Sequence, residues 1–77
     1  MHKLLDTVAL TQDRPEAGLK RGDVGAVVEL LDQNTYEVEF VTASGHTQAL
    51  ISLADSEVRA LGGRDLISVR TLAEFEA

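Results

Sequence analysis

Few side chains in this sequence are placed to do chemistry. Ser44-Gly45-His46 sets a hydroxyl beside an imidazole, the pairing on which nucleophilic catalysis depends. A working serine also needs an orienting carboxylate and a strained turn that lifts its hydroxyl into a dry site. Here the trio follows Thr42 and Ala43 in a run of turn residues, which puts it on a mobile, wet hairpin tip. His2 stands at the far end of the chain. Two histidines without i, i+4 spacing, in a chain with no cysteine, do not make a zinc site. Both are expected to be solvent-exposed. Glu29, Glu37 and Glu39 supply carboxylates, but they read as the wet face of a sheet rather than as an acid–base pair. No catalytic residue, metal or cofactor is therefore expected, and the chain is read as a non-enzyme.

A second stretch has the composition of a binding site. Asp13 to Leu30, DRPEAGLKRGDVGAVVEL, holds the only proline, three of the six glycines and the cations Arg14, Lys20 and Arg21. Gly18, Gly22 and Gly25 match neither the P-loop spacing nor the dinucleotide fingerprint. Each unusual residue also has an architectural use. Pro15 fixes its own φ and pushes Arg14 towards an extended conformation. Gly18 permits a left-handed turn. Lys20-Arg21-Gly22-Asp23 suits a tight turn, and Gly25 a bulge or bend. If the chain grips an acidic group, this loop is the place, because loops on rigid scaffolds carry contacts.

The elements that must position these residues follow from size and pattern. Seventy-seven residues make one domain. At that length folding hides only about 60 % of the unfolded surface, leaving a thin core and little room for a pocket of several hundred Å3. Tryptophan is absent and Tyr36, Phe40 and Phe75 are the only aromatics, so the core is aliphatic. The same scarcity denies the chain an aromatic-lined groove for proline-rich peptides.

Tyr36-Glu37-Val38-Glu39-Phe40 alternates as a strand buried on one face. Asp23 to Leu31 precedes it across the polar break Asp32-Gln33-Asn34 and makes its hairpin partner. Thr42 to His46 is a turn, and Thr47 to Leu53 a third strand with Ala49, Ile51 and Leu53 inward. Ala54 to Glu57 suits one helical turn, with Asp55 and Ser56 bonding free backbone N–H groups. Val58 to Leu61 is a short closing strand, and Asp6 to Thr11, with Val8 and Leu10 in alternation, a first one. The expected fold is all-β: a small SH3-like barrel of about five antiparallel strands over residues 1–61, with one short helical turn and a C-terminal tail over 62–77. Closure of such a sheet removes most unpaired edges. In the tail, Ile67, Val69 and Thr71 alternate, whereas Leu66, Val69, Leu72 and Phe75 recur every third residue. Thr71 to Glu74 has capping-box spacing. The tail is read as an extended stretch followed by a helical turn or a frayed end.

Strict alternation turns Val41 outward. It does the same to Val27 and Leu50 if Ala26, Val28 and Ile51 face in, although a bulge at Gly25 would reverse Val27. Clustered outward aliphatics would serve self-association into a homo-oligomer or a docking patch.

The stretch LKRGDVGAVVEL followed by YEVEFV resembles the small bacterial family catalogued as domain of unknown function 4926. Its members share a front like DTVALTQDRPEAGLKRGDVGAVVEL, then equivalents of YEVEF and LISLADSEVR. The resemblance spans roughly Leu4 to Arg59 and implies an SH3-like barrel with no known catalysis. A looser similarity, through Gly22, Gly25, Val27 and Leu30, is to the KOW-type motif of ribosomal and transcription proteins. The tail after Gly62 falls outside both.

Charge and compartment complete the functional expectation. Seven Lys and Arg stand against thirteen Asp and Glu, for a net charge of −6. Nucleic-acid binding depends on cations that displace counterions, so the balance speaks against it and favours a basic protein as partner. The absence of cysteine, of a signal-peptide run and of about 20 consecutive apolar residues points to the cytoplasm and away from membranes. The expected function is a non-catalytic protein-interaction module, the antitoxin, immunity or accessory partner of a bacterial protein pair. Its contact residues would be Arg14, Lys20, Arg21, Glu29, Glu37 and Glu39. The alternative is a KOW-like nucleic-acid-associated barrel using the loop cations.

Overall fold

The computed structural model describes residues 1–72. Alternation and turn chemistry divide them into five strands: β1 (Thr7–Leu10), β2 (Val24–Asp32), β3 (Thr35–Val41), β4 (Thr47–Ala54) and β5 (Val58–Ala60). All pairings are antiparallel, in the order β4-β3-β2-β1-β5. Each strand lies within a residue or two of its expected place. The β2–β3 turn is braced by the Asn34 N–H, which donates to the Asp32 carboxylate at 2.8 Å. In the β3–β4 turn Gly45 takes a φ of 88°, which a glycine adopts without strain.

Two short 3-10 turns join the strands where the sequence suggests one. Asp55–Glu57 is the expected turn, but Asp55 and Ser56 do not cap it. The Glu57 carboxylate instead accepts the Ala54 N–H at 2.7 Å. Pro15–Ala17 is the second. Proline's fixed φ starts it, and Gly18, left-handed at φ 72°, ends it.

The inward side chains form one cluster containing Val8, Leu10, Leu19, Val27, Tyr36, Val38, Phe40, Leu53 and Val58. No second layer covers the sheet among the described residues, so it must satisfy its apolar face by curling around it. Leu53 on edge strand β4 and Val58 on edge strand β5 both belong to that cluster. No ladder joins the two edges among the described residues. The two edges thus contribute side chains to one apolar cluster without the hydrogen-bonded closure that the sequence suggests.

The facing expected for the start of β2 is off by one residue. Val27 is fully buried opposite Val38, whereas Val28 is exposed and Ala26 half-buried. Phe40 is the cause. A Cβ on Gly25 would lie 2.9 Å from the Phe40 ring and 2.9 Å from the Glu39 carbonyl oxygen. Only a bare Cα fits on the inner face at that point, and with Gly25 inward Val27 follows. A bulge between Val27 and Glu29 then skips Val28 and restores Glu29 opposite Glu37. Val27 therefore cannot serve self-association.

Beyond β5 the chain turns at Gly63-Arg64 and runs through 65–72 without strand, helix or bend. The expected helical turn falls largely on Ala73, Glu74 and Phe75, outside the described residues. Ala9, which pairs with Val24 and Arg59 on the outer side of β1, is only 2 % exposed and lines one cleft together with the tail.

Candidate functional site

The outer face of β2, β3 and β4 carries the three expected carboxylates. Glu29 and Glu37 sit directly opposite one another, and Glu39 lies two residues further along the same side. Hydroxyls from β4 orient two of them: Ser52 Oγ donates to Glu37 at 2.8 Å and Thr47 Oγ1 to Glu39 at 2.6 Å. Among the described residues no Lys or Arg forms a salt bridge with any of the three. Like charges directly opposed across two strands are destabilising, so the face favours a cation from elsewhere. Leu50, opposite Glu39, and Val41 are both about half exposed and edge this acidic patch. Both face out, as alternation requires.

The three loop cations do not act together. Arg14 Nε donates to Glu16 at 2.6 Å and its Nη1 lies 3.4 Å from Glu57. The Glu16 hydrogen bond, against a small opposing effect of burial, raises the Arg14 pKa. Arg14 thereby ties the Pro15 turn to the turn before β5 and is committed to structure. The backbone N–H groups of Lys20 and Arg21 donate to Asp23 and Asp13, each at 2.8 Å. Their side chains are exposed and form no salt bridge among the described residues.

His2 corrects an expectation. It is buried, 9 % exposed, with its ring edge-on to Tyr36 at a centroid distance of 5.3 Å. The Tyr36 hydroxyl accepts the His2 backbone N–H at 3.1 Å and donates to Asp55 at 2.7 Å. His2 Nε2 and the Met1 ammonium approach the same Asp55 carboxylate at 3.7 and 3.6 Å. A buried tyrosine needs a partner for its hydroxyl, and the two ends of this knot are drawn in to provide one. The hydrogen bond to Asp55, aided by burial, raises the Tyr36 pKa. The same bond outweighs desolvation and lowers that of Asp55. His46, by contrast, is exposed at the hairpin tip as expected, with Ser44 bonded to Thr42 instead.

The tail makes a feature that sequence reasoning missed. Arg59 grips Asp65 with two bonds of 3.0 Å, and the Gly62 N–H adds a third at 2.6 Å. Further along, Arg70 Nε donates to Asp23 at 2.9 Å, Nη2 donates to the same carboxylate, and Nη2 also reaches the Gly18 carbonyl at 3.2 Å. Burial works against the charged form of Asp23, but the Arg70 and Lys20 hydrogen bonds and their charges prevail and its pKa falls. Between these two clamps and the sheet lies an open cleft of about 590 Å3. A cleft of that volume departs from the expectation that a chain of 77 residues has little room for a pocket; the tail supplies a second wall beside the sheet. No motif signals Arg70, because its partner is 47 positions away.

One clamp can be read by titration. The Arg59 hydrogen bonds, then the Gly62 N–H, pull the Asp65 pKa from 3.8 to about 2. A folded value below the ordinary one means that the clamp contributes fully above 3.8 and is lost as pH falls through about 2. The side-chain carboxyl 13C shift of Asp65 should titrate near that lower value. In Arg59→Ala it should return most of the way to 3.8. An unchanged midpoint would show that the clamp does not form in solution.

No helix among the described residues is long and apolar enough to cross a membrane. No curated protein and no solved structure matches the chain. A family model described as Domain of unknown function (DUF4926) matches residues 4–60. That span takes in all five strands and both short helical turns and stops before the tail. The chain belongs to DUF4926, with the sheet and its loops as the family's domain.

Proposed function

We propose that the chain is a non-catalytic protein-interaction module that docks on a basic protein through the outer face of β2 and β3. In the cell it would be the cytoplasmic antitoxin, immunity or accessory member of a bacterial pair, built on an SH3-like barrel. The observation that carries the reading is the alignment of Glu29, Glu37 and Glu39 on one face without salt bridges among the described residues. A cationic surface laid on that face would relieve the repulsion between Glu29 and Glu37. It would also be steered there by a net charge of −6. Val41 and Leu50 add apolar contact at its margin. The nucleic-acid alternative has less to stand on, since Arg14 is committed to Glu16 and Glu57.

Affinity capture from the native host tests the reading. The wild-type chain should retain a basic protein in stoichiometric amount. The triple reversal E29K/E37K/E39K should bind it about 100-fold more weakly or worse, with most of the loss in association rate and with a flattened salt dependence. A reversal variant that keeps the partner, or a wild-type chain that elutes alone, removes the proposal.

A further inference from the structure

The tail is an unusual wall for a cleft. Among the described residues no backbone–backbone hydrogen bond involves 66–72. The run is nevertheless held at both ends, by Arg59–Asp65 and by Arg70–Asp23. Between the clamps, Leu66, Ile67 and Val69 are 91 %, 69 % and 96 % exposed. A segment that carries the β-branched Ile67 and Val69, with its N–H and C=O groups unpaired among the described residues, offers a template for one more strand. Being fixed already, it would lose little conformational entropy when a ligand pairs with it.

The remaining lining sets the chemistry of that ligand. Val24, Phe40, Val41 and Leu61 give the cleft an apolar side. Of its charged groups, Asp23 is matched by Arg70 and Asp65 by Arg59. Arg21 is the one left without a salt bridge among the described residues. A cleft with a single uncompensated cation, on a chain of net charge −6, selects against further positive charge and for one acid. Its volume of about 590 Å3 lies in the range of sites that enclose small ligands.

We infer that this cleft receives an extended apolar peptide segment of a partner protein, added as a strand to the backbone of residues 66–69, with its one carboxylate on Arg21. The inference rests on the interaction-module reading but uses a surface that shares only Val41 with the acidic face and none of its carboxylates. Unpaired amides along one wall favour a peptide over an aliphatic acid, which has nothing to bond them.

Fluorescence anisotropy with the full chain tests it. The probe is a fluorescein-labelled hexapeptide of alternating valine and threonine that ends in a free carboxylate. It should bind saturably. Its C-terminal amide should bind about fivefold more weakly, the worth of one partly exposed ion pair. R21A should weaken the acid by the same factor and leave the amide unchanged, because both changes remove one interaction. N-methylation of alternate peptide nitrogens should abolish binding. Equal affinity for acid and amide, an acid peptide indifferent to R21A, or tight binding of the N-methylated form would each overturn the inference. So would binding of decanoate without binding of the peptide, which would assign the cleft to an aliphatic acid. The variant E29K/E37K/E39K should keep full peptide affinity, so loss of the acidic-face reading and loss of this one are separately visible.

Discussion

Leu53→Ala is expected to remove about 2–5 kcal/mol of stability. For a chain of 77 residues the whole folding free energy is on the order of 4–12 kcal/mol, so the variant should populate unfolded chain under ordinary conditions. The size of the effect follows from position. Leu53 is fully buried and sits on β4, one rim of the sheet, in the same core cluster as Val58 from the other rim. No ladder bridges the two rims among the described residues, so truncation there leaves a cavity in the core that no hydrogen-bonded closure supports. Leu50→Ala, three residues earlier on the same strand, deletes an equal side chain from the outer face, where it is half exposed. That change should cost less than about 0.5 kcal/mol. Urea denaturation separates the two: a large fall in midpoint for one, almost none for the other. Equal shifts would mean that Leu53 is not in the core where the structure puts it.

Gly25→Ala is expected to cost about 1–3 kcal/mol, as overpacking does in a filled core. The added methyl would press on the Phe40 ring and on the Glu39 carbonyl oxygen, both at 2.9 Å. The ring can be removed but the carbonyl cannot. Phe40→Leu in the Gly25→Ala background should therefore recover part of the loss, making the double variant more stable than the sum of the singles predicts. Gly63→Ala is the control. Nothing lies within 4 Å of its added methyl and its φ is not in the left-handed region, so it should be neutral or slightly stabilising. Strict additivity at positions 25 and 40 would dissolve the account of why Val27 faces inward.

That account also shows where the sequence is legible and where it is not. Tyr36, Val38 and Phe40 alternate with glutamates strictly enough to place β3 and, through it, the neighbouring strands. Polar breaks at Asp32 to Asn34 and Thr42 to His46 then fix the turns. In β2 the same logic slips, because Ala26, Val27 and Val28 are all apolar and alternation cannot choose between them. A contact from another strand, Phe40 on Gly25, decides it. His2 shows the same limit. The buried Tyr36 hydroxyl called for a polar neighbour, yet nothing local indicated that the neighbours would come from residue 2 and residue 55. The acidic face was visible, since it depends only on which residues alternate outward. The cleft was not, since both clamps that hold the tail are charge pairs between residues whose meeting depends on the finished fold.

The far margin of β4 has a consequence for handling the protein. Its residues 49–53, Ala-Leu-Ile-Ser-Leu, carry no charge, and no strand pairs with them on that side among the described residues. Short uncharged runs of this kind, when their amides are free, are the seeds from which cross-β fibres grow. Mutual repulsion among molecules of net charge −6 holds such encounters off near neutrality. Concentrated stocks should therefore keep best in dilute buffer well above the isoelectric point of about 4.6, and acidification or heavy salt should bring gelation or filaments before it brings bulk unfolding.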